Sequence, residues 1–530
     1  MKVHHIPFKK TGYFSNIICD YLDNKTALSD FYENFPDLEG FKKQIESKQE
    51  SFKLESRNIL VDVLKRQFKN IHTSERTLQN IQLLSNENTF TITTGHQLNI
   101  FTGPLYFLYK IISTINLTKV LKKEFPNQNF VPVYWMATED HDFEEINFFN
   151  LKDKKIAWNR KSSGAVGRLK TDGFDSVFNE FSNLIGTTDT ANYLKELFKK
   201  AYLNHSNLTD ATRYLVNELF GEYGLVIIDG DDIQLKQQFA PVIKDELLNN
   251  TSFIEVSKTS EKLSKNYALQ VNSREINLFY LKDNLRERII FENNKYIINT
   301  TNLTFSEDKI LEEVSNHPER FSPNVIMRPL FQETVLPNLC YIGGGGELAY
   351  WFQLKNYFDA KNTPFPILLL RNSVLLASEK QLIKGGKLTI SIQELFLKQE
   401  ALISMKIKEI SEIEIDFSKQ KEHLQQQFLN LKELARQTDV SFLGAVNAQE
   451  KKQLNGLNNL EKRLLKAQKR KLSDVVERMT VLQNELFPNQ SLEERTRNFS
   501  EIYLKLGNDF IPILMKAIKP LQSEFTVIEY

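Results

Sequence analysis

Cysteine is nearly missing. The 530 residues hold only Cys19 and Cys340, too few and too far apart for a disulfide scaffold, which points to a reducing compartment. Long apolar runs are missing too: Val131 to Ala137 is typical, far short of the roughly 20 residues a membrane span needs. The start MKVHHIPFKK has no apolar segment of the kind a signal peptide carries. Neither sign of charge is in excess, with 68 Lys+Arg against 67 Asp+Glu, so no global field draws the chain to nucleic acid or an anionic membrane. No GxxxxGK and no GxGxxG occurs, which removes the P-loop and dinucleotide fingerprints. A cytoplasmic protein without a membrane partner is expected, and nucleic acid is not expected as one.

The chain is too long for one core, so two to four units are anticipated from domains of about 100–200 residues. The stretch Thr91 to Asn147 organises the rest. Phe90 to Thr94 and Phe130 to Met136 read as interior strands of a parallel sheet. Between them Thr102 and Gly103 precede Pro104 as helix-start signals, and Leu105, Leu108, Ile111, Ile112 and Ile115 keep helical spacing. In open α/β sheets ligands bind outside the carboxyl ends of the strands, which here carry Gly95-His96-Gln97 and Glu139-Asp140-His141-Asp142.

Residues 1–89 read as a helical segment packing on the core after an irregular start. A core of 90–385 follows, with further strands at Gly224 to Ile228, Leu339 to Ile342 and Pro366 to Leu370, and with insertions at about 150–222 (helical) and 265–320. The second insertion suggests antiparallel strands around Tyr267 to Tyr280 and Arg288 to Ile298, with a turn at Lys282-Asp283-Asn284. Proline is absent from Ser391 to Phe487, and 386–487 reads as an antiparallel coiled coil whose arms meet in a loop around Thr438 to Ala448. The seam Leu465, Leu472, Val475, Met479, Leu482, Leu486 suggests apolar surface for a second copy, and so a homodimer. Residues 488–530 are expected to pack back on the core. The fold class is α/β: a Rossmann-like doubly wound parallel sheet with two inserted segments and a helical hairpin.

His96, near the start of a helix, can donate to a phosphoryl or carboxylate oxygen; it equally suits a partly buried histidine satisfied by backbone. Three carboxylates, Glu139, Asp140 and Asp142, around His141 repel one another unless a cation or substrate amine relieves them, which argues for function; helix capping is the plainer reading. The cluster matches no zinc spacing, and no metal site is assigned. Gly343 and Gly344, with Glu347 following, can present backbone N–H groups to an anion, and Arg328 and Arg371 can clamp a carboxylate. Arg495, Arg497 and Asn498 form a second candidate anion site, or simply pair with Glu493 and Glu494. The basic run Lys462, Arg463, Lys466, Lys469, Arg470, Lys471 reads first as a solvated helix face.

Six stretches carry a resemblance: TTGHQLNIFTGPLYFLYKIIS (93–113), PVYWMATEDHDFEEIN (132–147), GLVIIDGDD (224–232), NLFYL (277–281), FSPNVIMRPLFQETVLPNLCYIGGGGELAYWFQLK (321–355) and SLEERTRNF (491–499). In that order they resemble the cysteine-adding enzymes of bacillithiol biosynthesis, the BshC family, over almost the whole chain. The family usually has Gln where His96 stands. The resemblance implies a Rossmann-like core with two connecting insertions, a coiled coil used for dimerisation, and a reaction joining L-cysteine to the amine of glucosaminyl-malate. ATP or another nucleotide is expected from the reaction type, with Mg²⁺ as an optional companion. On this reading Asp140, His141, Asp142 and His96 are catalytic. Gly95, Gln97, Thr102, Gly103, Glu139, Arg328, Gly343, Gly344, Glu347 and Arg371 bind substrate, and Arg495, Arg497 and Asn498 bind nucleotide. The alternatives are a nucleotide-binding protein like an aminoacyl-tRNA synthetase, its hairpin contacting RNA, and a scaffold organised by the coiled coil.

Overall fold

Five parallel strands position everything else in the computed structural model, which describes residues 2–530. They are β1 (Thr89–His96), β2 (Asn129–Met136), β3 (Val226–Asp229), β4 (Asn338–Gly343) and β5 (Ile367–Leu370), in the order β5-β4-β1-β2-β3. The order reverses between β1 and β4, and such a switch point opens a crevice at the carboxyl ends. β1 runs two residues past the expected stretch, so Gly95 and His96 lie inside the strand, paired with Trp135 and Met136. The helix α1 (Tyr106–Glu124) joins β1 to β2.

All eight residues of β1 are buried, so its threonine hydroxyls need partners. Thr91 and Thr93 donate to Asn338 Oδ1 at 3.2 and 2.8 Å, and Asn338 Nδ2 donates to Glu333 at 2.7 Å. Glu333 pairs with Lys48 at 3.1 Å, an ion pair shut away from solvent. A buried polar chain thus runs from the helix Leu38–Ser51 into the centre of the sheet.

The start is not irregular, as its composition suggests. Lys2–Pro7 is a strand, antiparallel to Glu524–Glu529, which in turn runs parallel to Val374–Ala377. The first insertion holds the hairpin Phe148–Leu151/Lys154–Ala157 and three helices, Phe174–Ile185, Asp189–Tyr202 and Leu208–Phe220. In the second, residues 267–277 are not a strand; the antiparallel sheet begins at Leu278–Lys282 and continues through Leu285–Glu292 and Lys295–Ile298. The expected single strand across Arg288 to Ile298 is split by Asn293 and Asn294, whose φ values of 52° and 58° suit a tight turn.

The hairpin pairs α2 (Ser418–Arg436) with α3 (Val440–Lys471). Its turn is far shorter than anticipated: Asp439 caps α3 by accepting from the Ser441 and Phe442 N–H groups, so residues 440–448 are helix. The seam from Leu465 to Leu486 also needs correcting. The helix breaks at Leu472, and in α4 (Ser473–Leu486) the side chains of Met479, Leu482 and Leu486 are buried in this chain's own core. Their periodicity marks a buried face, and that face is already covered. Within the basic run, Lys469 pairs with Glu400 and Lys471 with Glu412. Among the described residues no helix is long and apolar enough to cross a membrane.

Candidate active site

The crevice is a cavity of about 880 Å³. Sheet order distributes its charge. Over β4 and β5 lie the cations Arg328, Arg371 and Arg495; over β2 and β3 lie Glu139, Asp140 and Asp142, faced by Arg274, Arg286 and Arg288 of the second insertion; His96 and Gln97 stand between them at the end of β1.

At the basic end Glu347 is the organiser. It accepts from the Gly344 N–H at 2.8 Å and the Tyr341 hydroxyl at 2.7 Å, and pairs with Lys110 of α1 at 2.5 Å. Burial alone would raise its carboxyl, but Lys110 and these donors outweigh that and hold it at about 2. Lys110 also donates to the Gly95 carbonyl at 2.8 Å, tying helix to strand end. A Cβ on Gly95 would lie 3.2 Å from the Tyr341 hydroxyl, so a larger residue there would crowd this knot. Arg371 stacks over Tyr106 at 5.0 Å and is aimed by Glu494 of the tail, which accepts from its Nη2 at 2.8 Å. Arg328 donates to Gln332 at 3.1 Å and to Tyr350 at 3.4 Å and lies over the Tyr341 ring. Among the described residues it has no carboxylate within 4 Å. A guanidinium so placed calls for an anion.

His96 is buried against Tyr106 and Phe107, and its Nε2 has no partner among the described residues. Burial, reinforced by Lys110, lowers its pKa to about 3, so the ring is neutral and can donate only as a neutral imidazole.

At the acidic end Glu139 and Asp140 are tied down, while Asp142 is exposed with only His141 Nε2, at 3.9 Å, beside it. Glu139 pairs with the buried Lys236 at 2.7 Å, and Lys236 also reaches Asp231 at 2.8 Å, where Arg168 binds as well. Asp229, facing Asp231 and bonded by Thr138, is pushed above the usual carboxylate range by burial and by that neighbour. Asp140 accepts from its neighbour's backbone N–H at 2.7 Å and from Gln97 Nε2 at 2.8 Å. Burial works against its charge, but the Gln97 and backbone bonds, with the Arg286 guanidinium near by, win and hold it well below the usual carboxylate range. His141 Nδ1 is 2.7 Å from Nη1 of Arg286, which arrives from the second insertion. Asp140, His141 and Asp142 each place one ligand atom within 4.8 Å of the others. Yet Gln97 and Arg286 already use Asp140 and the ring, so the donor set is that of a hydrogen-bonded ion cluster.

Several anticipated site residues lie elsewhere. Thr102 and Gly103 form a buried left-handed turn, with φ of 67° and 60°, and do not line the cavity. Asn498 holds that turn by donating to the Phe101 and Gly103 carbonyls at 2.7 and 2.6 Å, and Pro104 bridges to it rather than opening the helix. Gly343 is packed beneath Leu348 and is likewise off the cavity wall. Arg497 is consumed by Glu493, Glu501 and the Glu485 carbonyl. Only Arg495 of the tail trio reaches the cavity. Lys110, Arg286 and Lys236 were not singled out from the sequence, and Glu494, expected to pair with a tail arginine, pairs with Arg371 instead. Lys110 had a signal, being a lysine on the apolar face of a helix between two buried strands.

Comparison with known proteins follows the same division of the chain. The family description "Bacillithiol biosynthesis BshC, N-terminal Rossmann-like domain" matches residues 1–372, and "Bacillithiol biosynthesis BshC, C-terminal coiled-coil domain" matches 374–530. Relatives named "Putative cysteine ligase BshC" include one from Flavobacterium johnsoniae, 59% identical over 99% of both chains. Others come from Christiangramia forsetii, 55% identical over 100% of this chain and 99% of that one, and Bacillus thuringiensis, 27% identical over the full length of both. A solved Campylobacter jejuni structure titled "putative arginyl t-RNA synthetase" covers 81% of this chain and 100% of its own, at 10% identity and a TM-score of 0.22, too loose to carry an argument. With both parts of the chain matched and full-length relatives well above 30% identity, this protein belongs to the BshC family of bacillithiol biosynthesis.

Proposed function

We propose that the chain is a cysteine ligase that forms an amide between the carboxyl group of L-cysteine and the amine of glucosaminyl-malate, completing bacillithiol. The names of its relatives support cysteine ligation. The observation that carries the reading further is where the cavity's carboxylates lie: Glu139, Asp140 and Asp142 are gathered at the end of β2, while its other walls, over β4 and β5 and from the second insertion, carry arginines. An acceptor with an amine at one end and a malate dianion at the other fits that arrangement. On this reading Arg328 and Arg495 meet one of its carboxylates or the phosphates of a nucleotide, Arg286 is within reach of the other carboxylate, and Gln97, Asp140 and His141 hold the ammonium and take its proton.

A free carboxylate does not condense with an amine at neutral pH, so an activated acyl group is required. ATP, with Mg²⁺ as its companion ion, is the proposed source. Incubating the purified protein with cysteine, glucosaminyl-malate and ATP should yield the cysteinyl product by mass. If no such mass forms with any nucleoside triphosphate, the reading fails.

A further inference from the structure

We propose that Arg286, delivered by the inserted antiparallel sheet, is a positioning residue that fixes the tautomer of His141 and withholds its basic nitrogen until a carboxylate-bearing substrate occupies the cavity. This rests on the ligase reading for its chemistry, but its geometry stands independently.

A guanidinium has protons to give and none to accept. With Arg286 Nη1 at 2.7 Å, His141 Nδ1 must therefore present its lone pair, and the ring proton sits on Nε2. Nε2 lies 3.9 Å from Asp142 Oδ1, and Nδ1 is 3.6 Å from Asp140 Oδ1, an oxygen already bonded by backbone N–H groups. The charged groups around the ring are thus Asp140 and Asp142 from its own loop and Arg286 from the inserted sheet, which also contributes the Phe279 ring. As placed, His141 is a donor; it cannot take a proton from an ammonium at Nδ1 while Arg286 holds that site.

Arg286 is held by weak partners. Its guanidinium stacks 4.0 Å over Phe279, its Nε reaches Ser322 Oγ at 3.3 Å, and no bond is made by Nη2 among the described residues. Glu139, Asp140, Asp142 and Asp231 all act on it through space, yet none lies within 4 Å, so its best partner is a neutral imidazole. The guanidinium already makes its bond to the imidazole a charge-assisted one, but a carboxylate brings the opposite charge and can accept two parallel bonds from Nη1 and the unused Nη2, so a substrate carboxylate would draw Arg286 away from His141. Exchange frees Nδ1. The substrate ammonium then gives its proton to Nδ1, leaving a neutral amine and an imidazolium beside Asp140 and Asp142, with charge and protons balanced.

The test reads the ring nitrogens of His141 by ¹⁵N NMR on histidine-labelled full-length protein, with malate as the carboxylate probe and His141→Ala for assignment. The wild type should show a single Nε2–H tautomer, and malate should move the Nδ1 signal. R286M should show mixed tautomers that malate does not move, R286K should restore the Nε2–H form, and R286M should lose at least about tenfold in kcat/KM for the acceptor. The proposal is overturned if malate leaves wild-type Nδ1 unmoved, a result needing no variant, or if R286M keeps the wild-type tautomer. Should the NMR changes appear with no cysteinyl product, the ligase reading falls alone. Should product form at the wild-type rate in R286M with the tautomer unchanged, this inference falls alone.

Discussion

Glu494 should hold the basic end of the cavity together, and removing its charge should show how much. Its side chain is fully buried, and it accepts from Arg371 at 2.8 Å and from the Val374 N–H at 3.0 Å. Glu494→Gln keeps the shape but puts an uncharged amide against a guanidinium whose side chain is only 8% exposed. Breaking a buried pair from one side costs about 3–5 kcal/mol, because the surviving charge has neither water nor partner. Arg371→Gln strands Glu494 in the same way. In the double variant neither charge is left alone, so its loss should fall at least 2 kcal/mol short of the sum, roughly the strength of a hydrogen bond between charged groups. Urea unfolding followed through the three buried tryptophans, Trp135, Trp158 and Trp351, measures all four proteins. If the single losses add to within about 0.5 kcal/mol, Glu494 does not position Arg371.

Burial of neutral His96 has a pH signature. The unfolded ring takes a proton near 6.5 while the folded one resists to about 3, so stability is lost as pH falls below 6.5, by about 2 kcal/mol at pH 5. His96→Gln should remove that loss, so that its melting temperature gains on wild type between pH 6.5 and 3 and not above; parallel curves would refute the burial argument. His141→Ala should lower turnover about 10²-fold or more with melting unchanged, and wild-type product formation would make the acidic cluster structural. The hairpin leaves Leu431, Leu434, Val440 and Phe442 exposed, so light scattering should give twice 61.8 kDa, and Leu434→Glu with Phe442→Glu should give a stable monomer. A monomeric wild type ends that proposal. Leu482→Glu, whose site faces this chain's own core, should instead lower the melting temperature without a separate loss of association.

What the sequence made legible followed from local pattern. β1 and β2 are short β-branched or aromatic runs, and the residues at their ends had to lie at a crevice once the sheet was parallel. The turn at Thr102 and Gly103 misled because its maker, Asn498, is 395 residues downstream of Gly103, so a buried kink looked like an open helix start. Periodicity in the Leu465 to Leu486 seam showed that a face is buried but not what buries it. Arg286 was invisible for the same reason: its partner His141 is 145 residues away, and nothing beside it in the sequence marks an arginine that ends over a loop of the core. Of the tail motif, Arg495 lines the cavity and Glu494 is bound to it through Arg371, because a carboxylate can enter the interior only where a cation and N–H groups await it.

The strand Glu524–Glu529 sits between Lys2–Pro7 and Val374–Ala377, so residues 527 positions apart, Lys2 and Glu529, face each other. Closing so long a loop adds little entropy beyond a shorter one, since the cost grows only as the logarithm of length. Its consequence is temporal. During synthesis Val374–Ala377, apolar and destined for complete burial, must wait with an open edge while roughly 150 more residues are made. Residues 1–372 expressed alone would keep Lys2–Pro7 without its partner for good. The chain is thus open to mispairing until its final strand arrives, and its yield in a cell should depend on chaperones that shield strand edges more than on the stability of the finished fold.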